Sequence, residues 1–453
     1  MVVRTKAIVL ALAAALLVSG CTLGRSADPV VLKGSDVPGL ASVAAGDVVA
    51  FAWFDGWQQV AVQVDERKQV DFGQVYNSSA MGFSTTVYAD PNTFTGADSN
   101  PNVDADDEIA LRSVDTGREA PADAGNPAGT VAGSGVKVRL TSSFGGEREA
   151  WVYLFKRSGG LSPGAGQQFV DYDFNLLSGD YKTTYKLQDG PNPENSVVTT
   201  PYYSDHFSDR WLNDALRITT ARSTGVDILD RAKAQFAPGN CGRSENTFND
   251  AEGAFIANRN GPVRAIRSYI GANSGPLSQR DHIFYEHRQD IRTYLRVHAI
   301  PGIMDYFDYA PAASGMTYRN NLNTGGVPID GVPDSVTPGQ LSWESVDGDQ
   351  GGLTIVHTNQ TDISGFSSSS YYFDDSTPAG SGSEFQCTGD NAAYGNSGPW
   401  ITQSIPNTDP RSTPFNSLQA TRTLYFEDAG KADGPTRAAQ VAAPIGVSAT
   451  SFP

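Results

Sequence analysis

The sequence predicts an all-β fold: one or two large β-sandwich domains with little helix. Three observations carry this expectation. Short runs rich in Val, Ile, Tyr, Phe and Trp alternate with turn residues, and the 453 residues include 47 Gly and 26 Pro. Asp55-Gly56 stands between two such runs, Val48–Phe54 and Trp57–Val64, and an Asp-Gly pair there is a strong hairpin signal because a type I′ turn needs positive φ at both central residues. No internal repeat of the length that builds propellers or solenoids aligns.

From the N-terminus, Arg4 and Lys6 precede an uncharged apolar run, Ala7 to Val18, too short for a spanning helix with stop-transfer flanks. It ends in Val18-Ser19-Gly20-Cys21. This ending resembles the lipobox of bacterial lipoproteins. The resemblance implies a signal peptide over 1–20, cleavage before Cys21, lipidation (palmitate among the acyl groups) of Cys21, and an extracytoplasmic, membrane-anchored protein at the cell envelope. Residues 21–42 then read as a lipid-anchored linker, 43–235 as an N-terminal β domain, 236–428 as a C-terminal β-sandwich domain and 429–453 as a loose, Ala/Pro-rich tail. Hairpins are expected at Val48–Val64 and at Val136–Phe155, with further strands at 169–176, 181–187, 215–219, 253–257, 263–270, 283–286, 291–300, 353–358, 370–373, 400–405 and 418–427. One stretch, Val226 to Phe236, has helix-compatible spacing of Ile228, Leu229, Ala232 and Ala234.

Lys+Arg number 33 and Asp+Glu 50, a net charge of −17, so phosphate backbones are repelled and nucleic acid is excluded as a partner. With Cys21 lipidated, Cys241 and Cys387 remain, and two thiols in an exported chain are expected to form a disulfide bond.

Three regions carry the residue types of a site. In Asp98-Ser-Asn100-Pro-Asn102-Val-Asp104-Ala-Asp106-Asp-Glu108, oxygen ligands recur at every second position, an arrangement that can hold a structural Ca²⁺ although it does not match the EF-hand spacing. The alternative is a solvated acidic loop. In Ile291–His298, alternation puts Ile291, Thr293, Leu295 and Val297 on a core face and Arg292, Tyr294, Arg296 and His298 on the other. Arg can grip a carboxylate through two hydrogen bonds, and Tyr and His can move protons. A polysaccharide lyase needs that equipment: Arg292 and Arg296 for the acidic group, Tyr294 and His298 as base and acid. Two hairpin registers are open, one opposing Tyr285 to Arg292 and one opposing Glu286 to Arg292. The competing reading is a salt-bridged structural strand pair. The third region, Asp305-Tyr-Phe-Asp308-Tyr309 with Trp343 and Glu344, mixes carboxylates and aromatics as sugar-binding surfaces do. Asp305, Asp308, Tyr309 and Trp343 are its candidate substrate contacts, and two of Asp305, Asp308 and Glu344 could form a glycosidase pair.

There is no Gly-x-Ser-x-Gly, His-Glu-x-x-His, P-loop or Gly-x-Gly-x-x-Gly, which leaves hydrolase-elbow, zinc-peptidase, NTPase and nicotinamide readings without support. Gly261-Pro262-Val263-Arg264-Ala265 before a β-run resembles a segment of large galactose-mutarotase-like β-sandwiches of carbohydrate-active proteins. The likeness covers this short stretch alone, implies a carbohydrate-binding role and carries over no catalytic residue. The expected function is action on polysaccharide by a lipid-anchored protein, as a lyase; the alternatives are a non-catalytic envelope lipoprotein that binds glycan or protein, and a glycoside hydrolase. Cys21→Ser tests the anchor: the variant should leave the membrane fraction, and its retention there after a high-salt wash would refute the lipobox reading.

Overall fold

The computed structural model describes residues 23–71, 84–144, 148–177, 193–236, 254–272, 275–296, 302–377, 393–404 and 417–453. The architecture is all-β, with one α-helix among the described residues, Gly434–Ala442. No helix there is long and apolar enough to cross a membrane.

A nine-stranded antiparallel sheet is the centre. Its strands run, edge to edge, Ala254–Asn260, Ala265–Ala272, Gly275–Phe284, Arg288–Arg296, Ser417–Glu427, Gly351–Thr361, Trp343–Gly348, Thr317–Asn320 and Asn323–Pro328. On its inner face lie two four-stranded sheets. One is Asp171–Asp173, Ser196–Thr199, Tyr203–Asp209 and Leu212–Ile218, and the other is Leu229–Phe236, Ile303–Tyr309, Ala393–Ile401 and Ser369–Asp375. Phe207, Leu216, Ile218, Phe307 and Tyr309 of these layers meet Ala265, Phe284, Ile291, Leu353, Ile355 and Leu424 of the large sheet in one buried cluster, which is the packing of a sandwich.

The outer face is covered unevenly. The hairpin Arg67–Asp71/Ser84–Tyr88 packs Val87 and Tyr88 on Ile266, Ile270 and Ile283. The C-terminal helix lies on Trp343, Val356 and Tyr425; its first residue, Gly434, is so close to Trp343 that a Cβ would stand 2.0 Å from the indole. A separate five-stranded sheet is Gly446–Phe452, Gly135–Thr141, Glu149–Lys156, Val48–Trp53 and Trp57–Val60. A three-stranded one, Pro29–Lys33, Glu108–Arg112 and Gln63–Asp65, joins it to the outer face.

Both expected hairpins form. The first closes one residue wider than the two-residue turn, with Trp53 opposite Trp57 and Asp55 at φ +65°. Four expectations are corrected. Residues 23–42 are no linker: Pro29–Lys33 pairs with Glu108–Arg112, and Leu23, Val30, Leu32, Val37 and Leu40 are buried. The tail is not loose: Gly446–Phe452 pairs in register with Gly135–Thr141. The helix-compatible stretch is a strand, Leu229–Phe236, because Ile303–Tyr309 beside it supplies a ladder that outweighs local spacing. That ladder crosses residue 235, so the boundary drawn there divides a sheet. Cys21, Cys241 and Cys387 lie outside the described residues.

The layer between the sheets contains charge. Arg267 is completely buried, donates to both oxygens of Glu194 at 2.8 and 2.6 Å, and lies 4.3 Å from the Phe207 ring. A buried pair broken on one side leaves an uncompensated charge, which costs about 3–5 kcal/mol. Glu194→Gln should therefore lower the unfolding free energy by about that amount in urea titrations, whereas Glu149→Gln, which breaks a solvent-exposed pair with Arg139, should leave the curve unchanged.

Candidate functional site

The strand Arg288–Arg296 sits fourth in the large sheet, and its two faces meet different surroundings. Gln289, Ile291, Thr293 and Leu295 point into the inter-sheet layer; Arg288, Asp290, Arg292 and Tyr294 point outward. The outward row forms part of the floor of a groove of about 580 Å³. Thr421, Thr423 and Gln419 of the next strand, and Thr358 and Gln360 of the one after, continue that floor. Lys33, Arg67, Thr85, Thr86, Glu108 and Val441 form the sides.

The hairpin turns earlier than either expected register. Tyr285 N–H donates to the Arg288 carbonyl at 2.7 Å across Glu286-His287, and Arg292 stands opposite Asp281. Arg288-Gln289-Asp290, polar enough to resemble a turn, begins the strand instead. The reason is lateral pairing on the outer face, where Arg288 Nε and Nη2 bind Asp290 Oδ1 and Oδ2 at 2.8 and 3.1 Å. Glu286 pairs with Arg112 at 3.1 Å and does not close on Arg292.

The groove is cationic in an acidic chain. Four cations (Lys33, Arg67, Arg288, Arg292) face two carboxylates (Glu108, Asp290). Arg292 reaches Asp290 only at 3.8 Å. Burial opposes its charge, but Tyr88, Tyr294, Glu108 and Asp290 around it outweigh burial and hold it charged. Burial likewise pushes Glu108 upward, yet Arg264, Arg292 and Arg67 bring it down to about 2. Glu108 accepts from Tyr88 Oη at 2.9 Å and from Arg264 Nη2 at 2.9 Å. Arg264 is fully buried and also donates to Asp65 at 2.8 Å. These buried bonds fix the groove's side wall.

Of the residues picked out in the sequence, Arg292 and Tyr294 share the groove. Arg296 ends the strand opposite Ser417, and His298 lies outside the described residues. Trp343 is on the same sheet face but under the C-terminal helix. The third region does not join them. Asp305 points into the inter-sheet layer, where Arg280 donates to Oδ2 at 2.9 Å and Arg422 stands 2.9 Å from Oδ1. Tyr309 is buried in the inner core, and Asp308 is buried 2.8 Å from Lys233 Nζ. Glu344 is buried against His357 at 2.9 Å and Tyr318 at 3.2 Å. Alternation along Ile303–Tyr309, whose seven residues are all buried, explains this. The strand is covered on both faces, so its carboxylates serve packing, and no two of Asp305, Asp308 and Glu344 are presented to a cleft. His282, also inner, is held neutral by burial and by Arg280, Arg267 and Arg422; it stacks on Tyr269 and Phe284.

In the acidic loop, the oxygens face the chain itself. Asp98 accepts from Ser99 N–H at 2.6 Å, Asn100 from Asn102 N–H at 3.2 Å, and Asp104 from Asp106 N–H at 3.4 Å. Asp107 takes the N–H groups of Asp104 and Arg67 at 3.0 and 2.8 Å. Among the described residues no three His, Cys, Asp or Glu side chains are grouped to hold a metal ion.

The charged groove residues outside the regions picked out in the sequence, Lys33, Arg67, Arg288 and Asp290, come from three separate strands or their ends, and Glu108, the end of the acidic run, joins them from a fourth. Only Arg288 and Asp290 had a local signal, a polar cluster at a strand start, which also reads as a turn.

No family model matches the chain, and no curated protein does. Among solved structures it is similar to a protein from Escherichia coli K12 provisionally described as an aldose 1-epimerase, at 9% identity, over 57% of this chain and 99% of that one, with a TM-score of 0.30. At that score the likeness decides neither fold nor activity.

Neighbouring acids titrate with opposite sign. Glu108 is held down, so its contribution to stability is complete above its ordinary value of 4.5 and is lost as pH falls toward about 2. Asp106 and Asp107 are raised to about 6, both by burial first, Asp106 then by its hydrogen bond with the Asp104 side chain and Asp107 by the charge of Asp104, so folding gains stability as pH falls from about 6 toward 3.8. Melting temperatures across pH should therefore show that Glu108→Gln reduces the acid-side loss relative to the parent, and that Asp106→Asn reduces the gain between about pH 7 and 4.5.

Proposed function

We propose that this groove binds an acidic polysaccharide. The observation that carries the reading is the excess of cations on a hydroxyl- and amide-rich floor in a chain of net charge −17. Global charge repels anions, so a local cationic surface recognises a defined anion rather than any polyanion. Arg292 offers a planar donor fork to a carboxylate or sulfate. The floor of Thr358, Gln360, Gln419, Thr421 and Thr423 offers donors and acceptors suited to sugar hydroxyls. A lipid anchor at Cys21 would hold such a site at the envelope surface, where these polymers occur.

Turnover is the second reading, and the nearness of Tyr294 to Arg292 favours it. In a lyase, Arg292 would neutralise the uronate carboxylate and Tyr294 would remove the proton at C5. The C4–C5 double bond forms as the C4–O bond breaks, and the departing oxygen takes a proton, for which His298 is the candidate donor. If the groove only binds, the protein is an envelope glycan-binding lipoprotein with the same contacts.

Arg292→Ala should weaken binding of acidic oligosaccharides about tenfold or more, since hydrogen bonds to charged groups contribute about 1.5–3 kcal/mol, with little change in melting temperature. Binding should fall with added salt. Equal affinity for neutral glucans, or an unchanged Arg292→Ala variant, would refute the proposal. Tyr294→Phe separates the two readings. It should abolish formation of unsaturated uronate, read by ultraviolet absorbance, while binding is kept; absence of turnover in the parent protein leaves binding alone.

A further inference from the structure

We infer that the site takes the end of a glycan chain rather than an internal stretch, an inference that rests on the acidic-glycan reading of the groove. Arg288, Asp290, Arg292 and Val441 line both the groove and an adjoining chamber of about 210 Å³. That is below the range of about 300–1,000 Å³ in which whole drug-sized ligands are held, and it suits a single sugar ring. Arg292 presents a cation where the two spaces share lining, and Val30, Val441 and Ile445 supply apolar wall for the C–H face of a ring.

Both ends of the described chain line the chamber and are locked together by buried charge. Arg25 Nη2 donates to the Gln440 carbonyl at 2.6 Å, Nη1 donates to the Ala443 carbonyl, and Nε donates to Asp28 at 2.8 Å. These carbonyls belong to the last turn of the C-terminal helix and the residue after it, where backbone acceptors lack helical partners. Asp28 also accepts from Arg288 at 2.8 Å and from Tyr425 Oη at 2.7 Å. Arg25 and Asp28 are each 3% exposed. A wall tied at this many buried points is not displaced by a passing polymer, so a chain that enters the chamber ends there.

The test uses the full-length protein and linear uronic-acid polymers. A hexamer with a bulky cap at one terminus should lose binding at least tenfold, whereas the cap at the other terminus should be tolerated. Long polymer should bind one protein per chain whatever its length. Val441→Trp, which fills the chamber, should weaken hexamer binding at least tenfold. Arg25→Met, which unties the wall, should let the number bound rise with polymer length. If the parent protein tolerates both caps and its number bound rises with length, the chain-end inference is overturned and the acidic-glycan reading stands. Unchanged hexamer affinity in Val441→Trp also overturns it. If no acidic polymer binds, both fail.

Discussion

The period-two alternation of one central strand, Arg288–Arg296, is the constraint on which the rest depends. Its inner row is enclosed by two smaller sheets, and its outer row is the floor of the groove. The inner layer tolerates many charges because they are shared. Arg267 is matched to Glu194, and Arg280 and Arg422 to Asp305. Charges removed from water persist only when paired in this way. The consequence for the site is rigidity. The strand cannot rotate or slip by a residue without forcing Arg292 into the core and Ile291 into water. The outward positions of Arg292 and Tyr294 are thereby determined by packing on the opposite face.

Rigidity of the backbone does not by itself make a cationic groove attractive. An arginine already satisfied by a carboxylate gains little from a ligand, because one ion pair is exchanged for another. The distances distinguish the cations. Arg288 is bound at two points by Asp290 and at a third by Asp28, whereas Arg292 stays 3.8 Å from Asp290. On the proposed reading Arg292 would therefore be the group for an incoming anion, while Arg288 engages Asp290 at two points. The same division appears on the side wall. Arg264 is committed to Asp65 and Glu108, and Arg67 approaches Glu108 at 3.4 Å. The surrounding pairs hold the field in place with little reorganisation when a ligand arrives.

Strand identity was legible in the sequence because β-branched and aromatic runs bounded by turn residues have few other solutions. The Asp55-Gly56 turn gave a hairpin where expected, and Gly135–Thr141 pairs with Glu149–Lys156 as expected. The alternation of Ile291 to Leu295 gave the inner and outer rows correctly, which placed Arg292 and Tyr294 on one surface. Register was not legible, since it rests on an ion pair between Arg288 and Asp290 that marks a turn and a polar strand equally well. Asp305 and Trp343 lie apart from the groove for a related reason. Acid and aromatic residues draw the eye as ligands, but Arg280 and Arg422 neutralise the first and the helix at Gly434 covers the second, and both coverings come from distant sequence. The segments 23–42 and 429–453 looked unstructured because Ala, Pro and Gly carry little local preference for a strand; their pairing partners, Glu108–Arg112 and Gly135–Thr141, supply it.

Those same two segments complete the site. Arg25 and Ala443 are 418 residues apart, and their contact ties the N-terminal arm to the end of the C-terminal helix beside the chamber that Arg288 and Arg292 line. Contacts of such sequence separation carry a large loop-closure cost and form only when the intervening sheets have already brought the ends near each other. The groove floor can thus assemble from neighbouring strands of the large sheet, whereas the lining of the adjoining chamber requires the N-terminal arm, the C-terminal helix and the five-stranded sheet together. Floor and wall are joined through one residue, because Arg288 contacts Asp290 on the floor and Asp28 in the wall. The geometry of the groove is in this sense a property of the whole chain, even though the residue that would grip the proposed ligand lies on a single strand.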